Sequence, residues 1–326
     1  MRVMDDTRRA YISELEDRFK PFTDALNKEL QNWRFNFVEQ KSAHLLHLNQ
    51  ALVVRHSFPY CISEETYFSL SDQDVKFFAA VILLHSLALT RIDDYYDGGH
   101  KTKGGMLKVD GVAYSLSATH EAVIALLKRA PNTTELAKLL KVTAFVHARM
   151  YKDYTERYRK GYLDRAEQRV QMYLHSSKSR LLGSGYWEVM ARASFAQRGK
   201  AFPSYLHSVD IKLRKLRQIV DELADVEEDL RGGLITLPVL HALTQRPRAM
   251  RKSILNYWQS DNENGSDPSM TQLLEETQTK KWVYEQAMPL YWAGIKELDS
   301  RLGNRGDGYR RLFEYKRAKL EMLVKD

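Results

Sequence analysis

"QIVDELADVEEDLRGG", residues 218–233, sets Asp221, Asp225 and Asp229 four positions apart in a segment that also carries Ile219, Val220, Leu223 and Val226. Four-residue spacing on an α-helix stacks side chains on one face, so the three carboxylates line about 12 Å of helix over two turns. Glu222 stands beside the first of them, and Glu227 and Glu228 add to the charge. A solvated acidic surface is one reading. The apolar residues argue against it, because a wholly exposed helix has no use for an apolar stripe. Gly232 and Gly233 mark the end of the helix.

A second acidic cluster lies upstream, in "FFAAVILLHSLALTRIDDYYDGGHKTKGG", residues 77–105. Phe78, Val81, Ile82, His85, Leu89 and Ile92 share one stripe, and Asp93 and Asp97 follow one turn apart, close to that stripe. His85 reads as a core histidine. With Asp94, these acids would repel one another and titrate upward unless a cation neutralised them. A hard divalent ion such as Mg²⁺ suits oxygen ligands and leaves positions for water or phosphate oxygens. Taken alone the cluster also reads as three solvated acids at a helix end, but two inward acid triads on separate helices are much less a matter of chance. The glycine-rich basic stretch that follows reads as a mobile cationic flap, able to close over a substrate and exclude water.

The rest of the chain sets the frame. Its 326 residues are 44% hydrophobic, enough for a sizeable core, and hold only 8 prolines and 16 glycines. Helical periodicity runs through 8–33, 73–97, 112–129, 134–159, 163–195, 204–231, 234–245 and 278–302. This predicts an all-α fold of roughly ten helices around one core, a single domain spanning 1–326. Breaks fall at 97–105, 130–134, 231–233 and 260–269, the last being the most polar and expected as a disordered loop. Cys61 has no cysteine partner, and neither a leader segment nor an apolar run of membrane-spanning length is visible, so a cytoplasmic protein without stable membrane insertion is expected. Net charge is +8, but 50 basic residues are interspersed with 42 acidic ones and form no nucleic-acid-binding pattern. A positive surface equally draws in a small polyanion such as a diphosphate.

Asp93-Asp94-x-x-Asp97 and Gln218-x-x-Asp221-Glu222-x-x-Asp225 resemble the two aspartate-rich motifs of the trans-isoprenyl diphosphate synthase and class I terpene synthase superfamily. "LRGGLITLPVLHAL", 230–243, is similar to the segment after the second motif in bacterial polyprenyl synthases. Lys178 stands 43 residues before Asp221, where those enzymes carry a diphosphate-binding lysine, and Lys103-Gly104 matches the second of two arginines and a glycine, with Thr102 in the first arginine's place. The resemblance covers about residues 75–245. It implies an all-α bundle of the isoprenoid synthase type with a central prenyl cavity, a small-molecule prenyl diphosphate substrate, a homodimer, and Mg²⁺ as cofactor, three ions with bound diphosphate.

Residues and resemblance together name Asp93, Asp97, Asp221, Asp225 and Asp229 as metal ligands, with Asp94 and Glu222 completing the acidic set. Lys178, Lys103, Arg180, Arg231 and Arg310 are the candidate cations for the diphosphate; each alone also reads as a solvated surface charge. Metal held by facing carboxylates, with such cations, stabilises the charge that develops as pyrophosphate leaves an allylic carbon.

The reaction after ionisation is less fixed by the sequence. Elongating prenyl synthases carry Gly-Gly-Lys-x-x-Arg upstream, and residues 42–60 hold nothing like it; Arg55 and His56 are the nearest remnants. Asp221, Asp225 and Asp229 also match the spacing of the terpene cyclases' metal triad, and Tyr309-Arg310 lies near the place of their arginine-tyrosine pair, in reversed order, unless it belongs to a solvent-facing C-terminal helix. These departures favour a terpene cyclase, with chain elongation or head-to-head prenyl coupling as the alternative and a noncatalytic partner subunit as a further one. Phe77, Phe78, Tyr96, Tyr186 and Trp187 are candidates for an aromatic pocket around a carbocation. Ordinary core packing is the other reading of each. Ala88 and Leu89, small residues ahead of Asp93, occupy positions that set the cavity floor in prenyl synthases.

Overall fold

The computed structural model describes residues 159–175, 204–259, 268–303 and 307–325, with four further positions, His120, Ala137, Lys141 and Ala148, that are helical. Among the described residues every regular element is a helix. A 3₁₀ turn, Lys160–Arg165, leads into α1 (Ala166–His175). It is followed by α2 (Ser204–Ala224), α3 (Val226–Arg231), α4 (Leu237–Gln245) and α5 (Pro247–Gln259). The last three are α6 (Pro268–Glu276), α7 (Thr279–Leu302) and α8 (Asp307–Lys325). None of them is long and apolar enough to cross a membrane. The helices expected at 8–33 and 73–97, and the polar stretch 260–267, lie outside the described residues; those at 112–129 and 134–159 enter only through the positions named above and Arg159.

The chain divides into two compact units. One comprises Met1–Tyr151, Leu182–Ser208 and Glu297–Leu312, the other Lys152–Leu181, Val209–Lys296 and Phe313–Asp326. In the second unit the core forms around α4. Every residue from Leu237 to Leu243 is buried, as the apolar "LPVLHAL" requires of a helix with no polar face to offer water. Val239, Leu240 and Leu243 belong to one cluster with Val170 of α1 and Met250 and Ile254 of α5. Each such side chain contributes roughly 1.5–3 kcal/mol of burial. Lys215 of α2 donates to the carbonyl of Leu174 at 3.2 Å, tying α2 to the last turn of α1, and burial pulls its ammonium below the usual lysine range.

The segment 204–231 is not one uninterrupted helix. Asp225 departs from helical geometry at φ −109°, ψ 19°, and separates α2 from α3. At its end, Leu234 N–H reaches the carbonyl of Asp229 at 2.8 Å and Gly233 N–H that of Leu230 at 3.0 Å. With Gly233 at φ +78° this is a Schellman turn, so glycine is needed at that position. Leu234, Ile235 and Thr236 carry the chain to α4, which starts three residues later than the periodicity of 234–245 suggests, with Pro238 in its first turn. By contrast α7, Thr279–Leu302, follows the expected 278–302 almost residue for residue.

In the second unit helices α7 and α8 approach closely at Gly294. A β-carbon on Gly294 would lie 2.3 Å from Cζ of Phe313, so the ring occupies the space that the glycine leaves. Tyr291 donates its hydroxyl to Glu314, and the guanidinium of Arg317 sits 5.1 Å from the Tyr291 ring centre. In the first unit Ser208 donates to Glu297 at 2.8 Å, and Leu298, Leu302, Tyr309 and Leu312 are buried. The C-terminal helix is therefore amphipathic, with a buried stripe, and not solvent-facing throughout.

Candidate functional site

Ile219, Val220, Leu223 and Val226 are all buried along one side of α2 and α3, and the acids, expected to point inward, take the other side. On it stand Asp221, Asp225 and Asp229. The break at Asp225 leaves the row intact, because Asp225 N–H still bonds the carbonyl of Asp221 at 3.0 Å and Asp229 N–H that of Asp225 at 2.8 Å. The three side chains are half-buried, exposed and half-buried in turn.

Glu222 does not join that row. It is 4% exposed, and its two oxygens accept from Gln218 Nε2 at 2.9 Å and from the backbone N–H of Leu237 at 2.9 Å. A carboxylate at the first turn of α4 satisfies an N–H that has no partner inside the helix and meets the positive end of its dipole. Both its oxygens are thus engaged within α2 and at the start of α4.

Asp221 is engaged by two cations. Oδ1 accepts from Lys316 Nζ at 2.9 Å, and Oδ2 from Arg217 Nε at 3.3 Å. Lys316 is buried at 4% exposure, on α8, 95 residues away in sequence. Neither cation was expected from the sequence. The signal for Lys316 was present, since it falls at the helical interval of Leu312, Phe313 and Leu320 on the buried stripe, a place for a lysine only if it finds an anion.

Of the expected diphosphate cations, Arg310 and Arg231 are among the described residues. Arg310 bonds Asp299 and the carbonyl of Gly303 at 3.3 Å, and so links the start of α8 to the end of α7. These contacts hold the side chain at the C-terminal end of α7. Tyr309 beside it is buried. Arg231 is exposed in the last turn of α3. Asp93, Asp94, Asp97, Lys103, Lys178 and Arg180 lie outside the described residues, as do the pocket candidates Phe77, Phe78, Ala88, Leu89, Tyr96, Tyr186 and Trp187.

The donor chemistry of the row fits a hard divalent ion, being carboxylate oxygen throughout. Among the described residues no three histidine, cysteine or acidic side chains gather closely enough to hold one. Successive carboxylates are separated by a full turn, a rise of about 6 Å, so an ion bound here needs further oxygens from another segment or from a bound diphosphate.

A separate open cleft of about 470 Å³ is lined by His241, Gln245, Arg246, Glu276, Trp282 and Glu285, among others. Among the described residues, no expected site residue lines it. His241 stacks on Trp282 at 4.2 Å between ring centres and shares a 3.0 Å hydrogen bond with Thr279 Oγ1, and burial pulls its imidazole below the ordinary histidine range.

No family model matches the chain, and no curated protein matches it in sequence. Solved structures do match. A decaprenyl diphosphate synthase from Rhodobacter capsulatus superposes with a TM-score of 0.67 at 15% identity, over 94% of this chain and 98% of that one. A geranylgeranyl pyrophosphate synthase from Lactobacillus brevis gives 0.65 at 15%, over 95% and 97%. A geranylgeranyl pyrophosphate synthase from Corynebacterium glutamicum, complexed with isoprenyl diphosphate and magnesium, gives 0.61 at 15%, over 96% and 98%.

The chain has the isoprenyl diphosphate synthase fold. Nearly the whole length of each synthase is covered, so the likeness is not that of a shared fragment. The all-α architecture expected from helical periodicity and from the two acidic motifs is the architecture of this fold. At 15% identity the likeness speaks for the fold, and the chemistry has to be argued from side chains.

Proposed function

We propose that this chain is a metal-dependent isoprenoid synthase that binds a linear allylic prenyl diphosphate, and that it acts as a prenyl diphosphate synthase. The observation that carries the reading is the aspartate row 221, 225 and 229 along one side of α2 and α3, within a fold otherwise seen in enzymes of this kind. In the proposal Asp221, Asp225 and Asp229 hold metal together with Asp93, Asp94 and Asp97, and Lys178, Lys103, Arg180 and Arg231 face the diphosphate. Magnesium, when bound, supplies positive charge to the leaving pyrophosphate. The C–O bond breaks with its electron pair on pyrophosphate. The allylic cation is taken up by the double bond of a second, homoallylic diphosphate, and a proton is lost.

The sequence by itself favoured a terpene cyclase. The solved structures of like fold are named for prenyl diphosphate synthesis, which supports elongation instead. A cyclase remains the second reading on one specific observation, the lack of a Gly-Gly-Lys-x-x-Arg segment in residues 42–60. A cytoplasmic location and a homodimer belong to the same proposal.

Incubating the protein and Mg²⁺ with geranyl, farnesyl and geranylgeranyl diphosphate, each with and without isopentenyl diphosphate, tests it. A longer prenyl diphosphate formed only when isopentenyl diphosphate is present is the expected result. A hydrocarbon or alcohol from the allylic substrate alone would replace this reading with the cyclase.

A further inference from the structure

Both oxygens of Asp221 face a cation, and the two cations differ in kind. Arg217 lies one turn away on the same helix, with its side chain 26% exposed. Lys316 comes from α8 and its side chain is 5% exposed, whereas that of Asp221 is 31% exposed. A buried ammonium costs too much to keep without a counter-charge, so Lys316 cannot simply swing into water when another cation claims Asp221. A divalent ion arriving alone at Asp221 therefore meets Lys316 and Arg217 as like charges at short range. A diphosphate arriving with the ion changes the balance, since its oxygens can accept from Lys316 while Asp221 turns to the metal.

We propose that Lys316 is a positioning residue that neutralises Asp221 in the metal-free protein and makes divalent-cation binding at Asp221 depend on a diphosphate. The inference rests on the proposed function above, in which Asp221 is a metal ligand. Lys316 acts through Asp221: it holds the carboxylate in place before the ligands arrive and hands its hydrogen bonds to phosphate oxygens once they do. Metal and diphosphate then bind as a pair.

The test is titration calorimetry of the full chain with Mn²⁺, with and without saturating inorganic pyrophosphate, on the wild type, Lys316→Met, Lys316→Arg and Asp225→Asn. In the wild type, pyrophosphate is expected to tighten metal binding by about tenfold or more. Lys316→Met is expected to bind metal alone on the order of tenfold more tightly, with the pyrophosphate effect reduced to about twofold or less. Lys316→Arg restores the coupling. A purely structural lysine would lower stability without tightening metal binding. If Lys316→Met fails to fold, Lys316→Gln, which keeps a hydrogen bond and loses the charge, is titrated in its place with the same expectations. Wild-type coupling that is lost in Asp225→Asn but unchanged in folded Lys316→Met or Lys316→Gln overturns the role of Lys316 and leaves the proposed function standing. No metal binding by the wild type in either arm overturns both.

Discussion

Glu222 of α2 accepts the backbone N–H of Leu237 at 2.9 Å, so the helix that carries Asp221 also fixes the start of the buried helix α4 with its next residue. Neighbouring acids thus serve opposite ends. Replacing Glu222 with alanine leaves the Leu237 N–H and the Gln218 amide without their acceptor, at a cost of about 1–3 kcal/mol in a urea melt. Glu222→Gln keeps an acceptor and costs less. Binding of Mg²⁺ with pyrophosphate is expected to survive Glu222→Gln; loss of that binding in a folded variant would return Glu222 to the ligand set.

Gly294 gives a packing prediction. Its missing side chain is filled by the Phe313 ring, which a β-carbon would approach to 2.3 Å. Gly294→Ala is expected to destabilise by about 1–3 kcal/mol, since ring and helix must both shift. Adding Phe313→Leu should recover part of that loss in a double-mutant comparison of melting midpoints. Equal effects with and without the second change would contradict the contact.

His241 gives a pH dependence. Desolvation against Trp282 lowers its folded-state pKa, so the neutral ring is the form that the fold prefers. The stabilisation is present above the unfolded-state value of about 6.5 and is lost as pH falls through the folded one, where the unfolded chain binds the extra proton. Arg246, Lys281, Glu276 and Glu285 line the same cleft. Urea midpoints at about pH 7.5 and about pH 5.5 should fall further for the wild type than for His241→Gln. An identical fall in both would remove His241 from the account.

Much of this was legible because helices announce themselves by spacing. The apolar intervals of 219, 220, 223 and 226 gave the buried side of α2 and α3, whereas the aspartate row, expected to point inward, lies along the other side of these helices. Thr279–Leu302 could be bounded almost to the residue. What spacing could not give was set by contacts distant in sequence. Glu222 looked like a ligand because its neighbours are aspartates; that it turns to Leu237 depends on where α4 starts, 15 residues on. Lys316 drew no reading from the sequence, because its partner is 95 residues upstream. Helix α5 was overlooked because Arg248, Arg251 and Lys252 mask the interval between Met250 and Ile254, which are both fully buried. The break at Asp225 has no apolar signature, because the hydrogen bonds on either side of it continue as they would in an unbroken helix.

The central claim is that the aspartate row binds metal in order to release pyrophosphate from an allylic prenyl diphosphate. The most direct measurement is pyrophosphate release from farnesyl diphosphate, with isopentenyl diphosphate present, by the wild type, Asp221→Asn and Asp225→Asn, each with Mg²⁺ and with a chelator. Release by the wild type that requires Mg²⁺ and falls by about a hundredfold or more in both folded variants is the predicted result. Release that is indifferent to chelator, or equal in wild type and both variants, would contradict it.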